Sequence, residues 1–250
     1  MNEEREANKV NNAQLDSFSK PTMSTFVNSN CGKATDLVLH QLSNYWDDID
    51  KETVAFAVPK ALELMEGSFW GLPNKRFFNG DNVVFLPYMS IHWMIFLYRL
   101  SHELYKNGGA MQKEADYCYY LNKIMHANDW FYAIDLPVHF LAEHPLGSVL
   151  GRATYGDYLF VYQGTTIGGN RSKGKLCYPV IGNNVILYAN SSVLGNCKIG
   201  NNVVIAADTN IVNEDIPDNC LVFGRTPNLT IKVKSEVEIK KYTVHIWGWR

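Results

Sequence analysis

Ten apolar residues of this chain fall on a grid with a period of six residues. Four of them precede an interruption and six follow it: Val149, Tyr155, Val161, Ile167, Ile181, Leu187, Val193, Ile199, Ile205 and Ile211. A period of six matches neither the 3.6-residue repeat of an α-helix nor the two-residue alternation of a strand. It is typical of hexapeptide repeats, in which three short strands form one triangular coil of a parallel β-helix and the apolar residue faces the axis.

Small residues and one interruption complete this pattern. Four residues after a grid position the side chain is often small, as at Ser191, Cys197 and Thr209. A small residue lets the chain bend at a corner of the coil. The step from Ile167 to Ile181 is fourteen residues, so the segment GNRSKGKLC predicts an excursion from the prism between them.

The chain before the grid has a helical pattern. Apolar residues at helical spacing predict four helices: one after Ala34, one from Thr53 to Met65 that contains Pro59, one from Pro87 to Tyr105, and one from Met111 to His126. We therefore expect an α+β protein in which a helical domain precedes a β-helix. The boundaries we predict are a mobile polar tail (1–32), the helical domain (33–133), the β-helix (134–232) and a C-terminal strand extension (233–250).

Composition excludes several classes of protein. The net charge is −2, which gives no basic footprint for nucleic acid. No apolar run reaches the ~18 residues of a membrane span, and the charged start MNEEREANKV is unlike a secretory signal. The five cysteines are odd in number and scattered, which favours free thiols and a cytoplasmic location.

Several segments resemble the serine acetyltransferases, a family of hexapeptide-repeat acyltransferases with a left-handed β-helix. AEHPLGSVLG looks like the D-H-A-T-G-x-x-x-G stretch of that family, and TTIGGNRSKGKLCYP resembles its T-L-G-G loop ending in D-R-H-P. VFGRTPN resembles the closing A-G-x-P-A, and FLYRLSHELYKNG is similar to a helix of the family's N-terminal domain. The resemblance spans about residues 87–232.

The resemblance implies transfer of an acetyl group from acetyl-CoA to a hydroxyl group, without a metal. It makes His144 the catalytic base and places Glu143 where the family has an aspartate. The resemblance also implies sites for the acetyl-CoA donor. Gly168 and Gly169 match the family's double glycine, Ala189 and Ala207 resemble alanines that line its coenzyme A groove, and Arg225 and Lys232 are candidates to face the phosphates. Homotrimers or dimers of trimers are expected, with coenzyme A bound between subunits.

The chemistry explains why a histidine is needed. A hydroxyl is a weak nucleophile at neutral pH, and a neutral imidazole that takes its proton is worth about 10²–10⁴ in rate. A carboxylate beside the imidazole would fix its tautomer and stabilise the cation. Glu143 and Asp135 are both candidates, and the sequence does not choose between them. Asp135 lies nine residues before His144, six fewer than in the family.

The acceptor is less well specified. Where the family has D-R-H-P, this chain has Leu176, Cys177, Tyr178 and Pro179, so the arginine that receives the serine carboxylate is missing. Tyr178 offers an apolar ring with a hydroxyl group, which suits a sugar ring. We therefore expect the acceptor to be a sugar hydroxyl of a surface polysaccharide precursor or L-serine.

The sequence is also compatible with two alternative functions, a zinc enzyme and a non-enzymatic scaffold. His139 and His144 have the H-x-x-x-x-H spacing seen in zinc-dependent carbonic anhydrases built on the same prism, but the prism offers no third histidine. A catalytically eroded β-helix that serves as a scaffold is the alternative without an enzymatic activity. Turnover of acetyl-CoA in the presence of an acceptor would separate the acyltransferase from both.

Overall fold

The structure, a computed structural model, describes residues 23–248. Its helices are α1 (Thr25–Leu42), α2 (Lys51–Phe69), α3 (Ser90–Asn107), α4 (Gln112–His126) and α5 (Glu236–Trp247), and a short 3₁₀ turn spans Gly109–Met111. The four helices predicted before the β-helix are therefore confirmed. No helix of the described residues combines the length and apolar character that crossing a bilayer requires.

The first helix begins earlier than the sequence indicated. The Ser24 hydroxyl accepts a hydrogen bond from the backbone N–H of Val27, which caps α1 at its N-terminus. Phe26 and Val27 are buried in the core. The prediction of a mobile tail is therefore wrong for residues 25–32, because a capped first turn with two buried apolar residues continues the helix. The rest of the predicted tail, residues 1–22, lies outside the described part of the chain.

Helix α3 is the central element of the helical domain and joins it to the rest of the chain. It packs between α2 and α4. Its Arg99 is almost fully buried and donates hydrogen bonds to the backbone carbonyl groups of Leu136 and Pro137. A buried guanidinium needs such partners, since an unpaired charge in the core is costly. Arg99 thus ties the helical domain to the segment that enters the β-helix.

The second half of the chain consists of short strands. They are β1 (Asp129–Trp130), β2 (Phe140–Glu143), β3 (Val149–Leu150), β4 (Thr154–Tyr155), β5 (Leu159–Tyr162), β6 (Thr166–Gly168), β7 (Asn170–Ser172), β8 (Lys175–Cys177), β9 (Val180–Ile181), β10 (Val185–Leu187), β11 (Ser192–Leu194), β12 (Lys198–Ile199), β13 (Val203–Ile205), β14 (Asn210–Val212), β15 (Cys220–Arg225) and β16 (Asn228–Val233). Parallel pairing stacks them into three faces. One face is β2-β5-β10-β13-β15, the second is β1-β3-β6-β11-β14, and the third is β4-β9-β12. The predicted parallel β-helix is confirmed.

The six-residue grid marks the interior of the prism, with one exception. From Val161 onwards the grid residues are buried, and so are the corner residues Ser191, Cys197 and Thr209. Val149 is 38% exposed, whereas its neighbour Leu150 is buried and pairs with Ile167. Placing Val149 on the inward grid was therefore wrong by one residue. The register shifts because Leu150, which pairs with Ile167, lies only five residues before Tyr155, which pairs with Ile181, whereas the grid step is six.

The C-terminal extension is a strand followed by a helix. Strand β16 pairs antiparallel with β15, the last strand of its face, so the strand prediction is correct up to Val233. It is wrong for the residues of α5, where Ser235 and Glu238 form a capping box. Buried residues of this helix recur at helical spacing: Ile239, Thr243, Ile246 and Trp247. The helix contacts β13, and the ring of Trp247 lies 6.2 Å from that of Phe160 on β5, so α5 covers one face of the prism.

Candidate active site

His144 lies on a two-residue insertion at a corner of the first coil. Ala142 pairs with Val161 and Leu150 pairs with Ile167. Ala142 and Leu150 are thus eight residues apart in the first coil, whereas their partners Val161 and Ile167 in the next coil are only six apart. The extra residues carry His144 outward with φ +49, and its side chain is 77% exposed. Since nine other non-glycine residues of the described chain also have positive φ, the insertion and the exposure of the side chain, rather than φ, distinguish this position.

The structure distinguishes between the two acids proposed to orient His144. Oε1 of Glu143 lies 4.0 Å from Nε2 of His144. Asp135 instead pairs with His102 of α3, with 3.3 Å between Oδ1 and Nε2. The assignment of Asp135 to the catalytic group is therefore corrected. Asp135 precedes β2, the first strand of its face, and there its carboxylate reaches the buried His102 rather than His144.

Two tyrosines beside Glu143 were not singled out from the sequence. Tyr162 is the strand partner of Glu143, and its ring stacks on that of Tyr188 with centroids 5.0 Å apart. Burial, followed by the charge of Glu143 and a hydrogen bond to it, raises the pKa of Tyr162 above its ordinary value. Both tyrosines follow grid residues, and that outward position was the signal available in the sequence.

The corner that carries His144 recurs in each coil below it. The backbone N–H groups of Gly164, Asn190 and Asp208 donate to the carbonyl groups of Leu146, Gln163 and Ala189 respectively, which stacks the corners of successive coils. Ala189 and Ala207 therefore lie in one column below the insertion. Both have small side chains, whereas Gln163 and Leu146 occupy the equivalent corner of the two coils above.

Two cationic residues lie at the far end of the same corner. Arg225 pairs with Asn210, which is three residues beyond Ala207. The Lys232 Nζ atom lies 5.4 Å from the ring centroid of Phe223. Both cations are exposed. From β2 to β15 this corner of the prism extends over four inter-strand steps, about 19 Å at the usual ~4.8 Å per step.

The double glycine lies at the next corner of the prism. Gly168 ends β6, and Gly169 leads into the hairpin formed by β7 and β8. A Cβ atom on Gly169 would lie 2.8 Å from the ring of Tyr178, so a larger residue there would have to displace that ring. Within one chain, the structure does not bring Gly168, Gly169 and Tyr178 to the corner of His144.

The hairpin carries an arginine that the sequence analysis passed over. Arg171 lies on β7 opposite Leu176, and its Nη1 donates to the carbonyl group of Gly174 at 3.1 Å. Lys173 and Gly174 have positive φ and form the tight turn. Cys177, where the family has its arginine, is half-buried at the end of β8. The hairpin therefore presents cations, but none at the position of Cys177.

The two closely spaced histidines do not converge. His139 and His144 flank opposite ends of β2, about 16 Å apart at ~3.3 Å per extended residue. The Nδ1 atom of His139 lies 2.7 Å from Oδ2 of Asp157, and its ring stacks on Tyr158. Within residues 23–248, no group of three histidine, cysteine or acidic side chains is arranged to hold a metal ion.

Comparison with known proteins supports the hexapeptide pattern. Residues 178–213 match the family described as bacterial transferase hexapeptide (six repeats). A serine acetyltransferase of Synechococcus elongatus is 42% identical over 83 residues, which are 33% of this chain and 34% of that protein. One of Staphylococcus epidermidis is 32% identical over 152 residues, 60% of this chain and 64% of that protein. The matches thus span between about a third and just under two thirds of these relatives.

Solved structures share the architecture. The serine acetyltransferase of Neisseria gonorrhoeae superposes with a TM-score of 0.63 at 21% identity, covering 86% of this chain and 94% of that one. A serine acetyltransferase in complex with CoA gives a TM-score of 0.60 at 18% identity and covers 81% and 84% of the two chains. At these identities the likeness concerns the fold. This chain therefore contains a bacterial transferase hexapeptide repeat, and it is similar in sequence and in fold to serine acetyltransferases.

Proposed function

We propose that this chain is an acetyl-CoA-dependent O-acetyltransferase in which His144 is the general base. The observation that carries the proposal is the insertion that displays an exposed His144 at a corner of the first coil, with the Glu143 carboxylate 4.0 Å from its Nε2 atom. The similarity to serine acetyltransferases supports the reaction class. An exposed imidazole beside a carboxylate is suited to accept and return one proton.

The proposed reaction balances with these groups alone. His144 takes the proton of the acceptor hydroxyl group while the oxygen of that hydroxyl group attacks the thioester carbon of acetyl-CoA. The carbon–sulfur bond then breaks, the acetyl group stays on the acceptor oxygen, and the imidazolium returns the proton to the departing thiolate. Glu143 stabilises the imidazolium while it exists, since an opposite charge nearby favours the protonated form.

The corner below His144 is the proposed site of the acetyl-CoA donor. Ala189 and Ala207 leave room for an extended pantetheine arm. Arg225 and Lys232, exposed at the far end, would meet the phosphates. The double glycine would complete the site from a second subunit of a trimer, because it lies at another corner of its own chain. These assignments and the trimer are predictions.

L-serine is the acceptor that the relatives favour. The names of the matched proteins point to serine, and one solved neighbour is described in complex with serine. Arg171 on the hairpin offers a cation for the serine carboxylate in place of the residue lost at Cys177. A sugar hydroxyl is the second candidate, since the exposed Leu176 and Tyr178 form an apolar surface on the same segment.

Release of free coenzyme A tests the proposal. The purified full chain is mixed with acetyl-CoA and either L-serine or a panel of nucleotide sugars and glycans, and His144→Ala is measured in parallel. We expect acceptor-dependent release that the substitution abolishes. Absence of turnover with every acceptor would refute the enzymatic function and favour a binding scaffold, and turnover that needs added zinc would refute the metal-free mechanism.

A further inference from the structure

The strand face that carries Glu143 continues below it as two stacked tyrosines. Glu143 on β2 pairs in register with Tyr162 on β5. Tyr188 directly follows Leu187, and Leu187 pairs with Val161, so Tyr188 lies one coil below Tyr162. The two rings are nearly parallel, with an interplanar angle of 14° and centroids 5.0 Å apart. Glu143, Tyr162 and Tyr188 thus form one column on the outside of the prism.

The ring of Tyr162 is held on two sides. Tyr188 stacks on one side, and the buried Phe160 of the same strand meets it edge-on with centroids 5.1 Å apart. A tyrosine between two aromatic neighbours has little freedom to change rotamer, so its hydroxyl group is fixed relative to the strand above. Because Tyr162 is the in-register strand partner of Glu143, the two side chains are neighbours on the same face of the prism.

The hydroxyl of Tyr162 is suited to act as a hydrogen-bond donor to that carboxylate. Burial is the largest cause that raises the pKa of Tyr162, and the Glu143 charge and a hydrogen bond to Glu143 add to it. The proton therefore stays on the phenol oxygen at neutral pH. The pKa of Tyr188 is raised by burial, by Glu143 and by Tyr242 of α5, so no ionised phenol stands in this column at neutral pH.

Glu143 needs such an anchor. Its side chain is exposed and has several rotatable bonds, and holding it in one geometry costs conformational entropy. With 4.0 Å between Oε1 and Nε2 of His144, a small rotation would move the carboxylate away from the imidazole. A fixed donor on the other side of the carboxylate would limit that rotation.

We propose that Tyr162 is a positioning residue that holds Glu143 towards His144 by donating its hydroxyl group to the carboxylate. The inference rests on the proposed function, because it gives Glu143 and His144 their roles. It adds a residue from the next coil to the catalytic arrangement. The hydroxyl group acts through Glu143 and touches neither substrate.

The test combines two measurements on Tyr162→Phe, which keeps the ring and its stacking. The first is the distribution of side-chain rotamers of Glu143, from NMR three-bond couplings. We expect Tyr162→Phe to spread Glu143 over more rotamers than in the wild type, because the carboxylate loses its fixed hydrogen-bond donor. Tyr155→Phe removes a hydroxyl group bonded to the Gly151 carbonyl on another face and is the matched control.

The second measurement is steady-state turnover. Loss of a hydrogen bond to a charged group should lower kcat about tenfold, while the Kd for coenzyme A stays unchanged. An unchanged rotamer distribution of Glu143 in Tyr162→Phe would overturn the inference even if the enzyme is active. If the wild-type protein shows no acetyl transfer, the proposed function fails, and the NMR couplings still decide whether Tyr162 positions Glu143.

Discussion

Oε1 of Glu143 lies 4.0 Å from Nε2 of His144 at the corner of the first coil. Asp135, the other candidate in the sequence, lies 3.3 Å from His102 of the helical domain. The carboxylate that could stabilise an imidazolium at His144 is thus the preceding residue in the chain. An acid so close in sequence keeps its place relative to the histidine without help from the helical domain.

This geometry predicts different effects for the two acids. Glu143→Gln should lower kcat about tenfold or more, because the developing imidazolium loses its counter-charge while the side-chain shape is kept. Asp135→Asn is the matched control and should leave kcat within about twofold, since Asp135 contacts His102. Steady-state kinetics with saturating acetyl-CoA would measure both. Equal losses in the two variants would argue that Asp135 also supports the histidine.

Removal of the imidazole should affect turnover and spare donor binding. His144→Ala is expected to lower kcat by about 10²-fold or more, the usual effect of losing a general base. The Kd for coenzyme A should change little, because Ala189 and Ala207, the proposed donor-binding residues at this corner, lie on later coils. His40→Ala, an exposed histidine of α1, serves as the control. Near-normal turnover of His144→Ala would exclude His144 as the base.

Donor binding should not depend on a metal ion. Isothermal titration with coenzyme A, before and after dialysis against a chelator, should give the same Kd. The expectation follows from the separation of His139 and His144 at opposite ends of β2. Binding that disappears on chelation and returns with zinc would contradict it and revive the carbonic-anhydrase-like alternative.

The acceptor can be probed by restoring the missing arginine. Cys177→Arg should lower the KM for L-serine about tenfold or more, since one charge-assisted hydrogen bond to a carboxylate is worth about 1.5–3 kcal/mol. Leu176→Arg adds the same charge one residue away, on the other side of β8, and should not do so. If neither variant improves serine use while the wild type acetylates a nucleotide sugar, the second candidate acceptor is correct.

Two buried histidines predict loss of stability in mild acid. Burial lowers the pKa of His92 and of His126 from 6.5 to about 4, chiefly because the charged ring would lose its hydration. Between about pH 4 and pH 6.5 these two histidines therefore bind protons in the unfolded chain but not in the folded protein. The stability is thus complete above about pH 6.5 and falls as the pH drops towards 4, by up to about 1.4 kcal/mol per pH unit for each histidine.

Substitution of His92 tests this dependence. His92→Phe should flatten the plot of unfolding free energy against pH between 4.5 and 6.5, because the ring lies between Phe69 and Phe77 and a phenyl group fits there. Overall stability falls with the lost hydrogen bond from the Leu86 N–H, so the slope is the informative quantity. Urea unfolding at several pH values provides it, and an unchanged slope would show that His92 does not titrate on unfolding.

The sequence by itself determined the architecture and supplied His144 as the proposed base. The six-residue period of residues such as Leu187 and Ile205 can be satisfied only if each coil returns the same side chain to the axis, so local spacing specifies the β-helix. The four N-terminal helices follow from apolar spacing in the same way. His144 was found from a local motif and needed no distant partner.

Tertiary structure decided what depends on pairing between coils. Leu150 rather than Val149 faces inward because Leu150 lies five residues before Tyr155 instead of six, which is visible only when the coils are aligned through Ile167 and Ile181. Residues 236–247 alternate like a strand, yet the capping box and the prism face that they cover make them a helix. Tyr162 meets Glu143 across nineteen residues of sequence because one full coil of the prism separates them, and no local pattern encodes that distance.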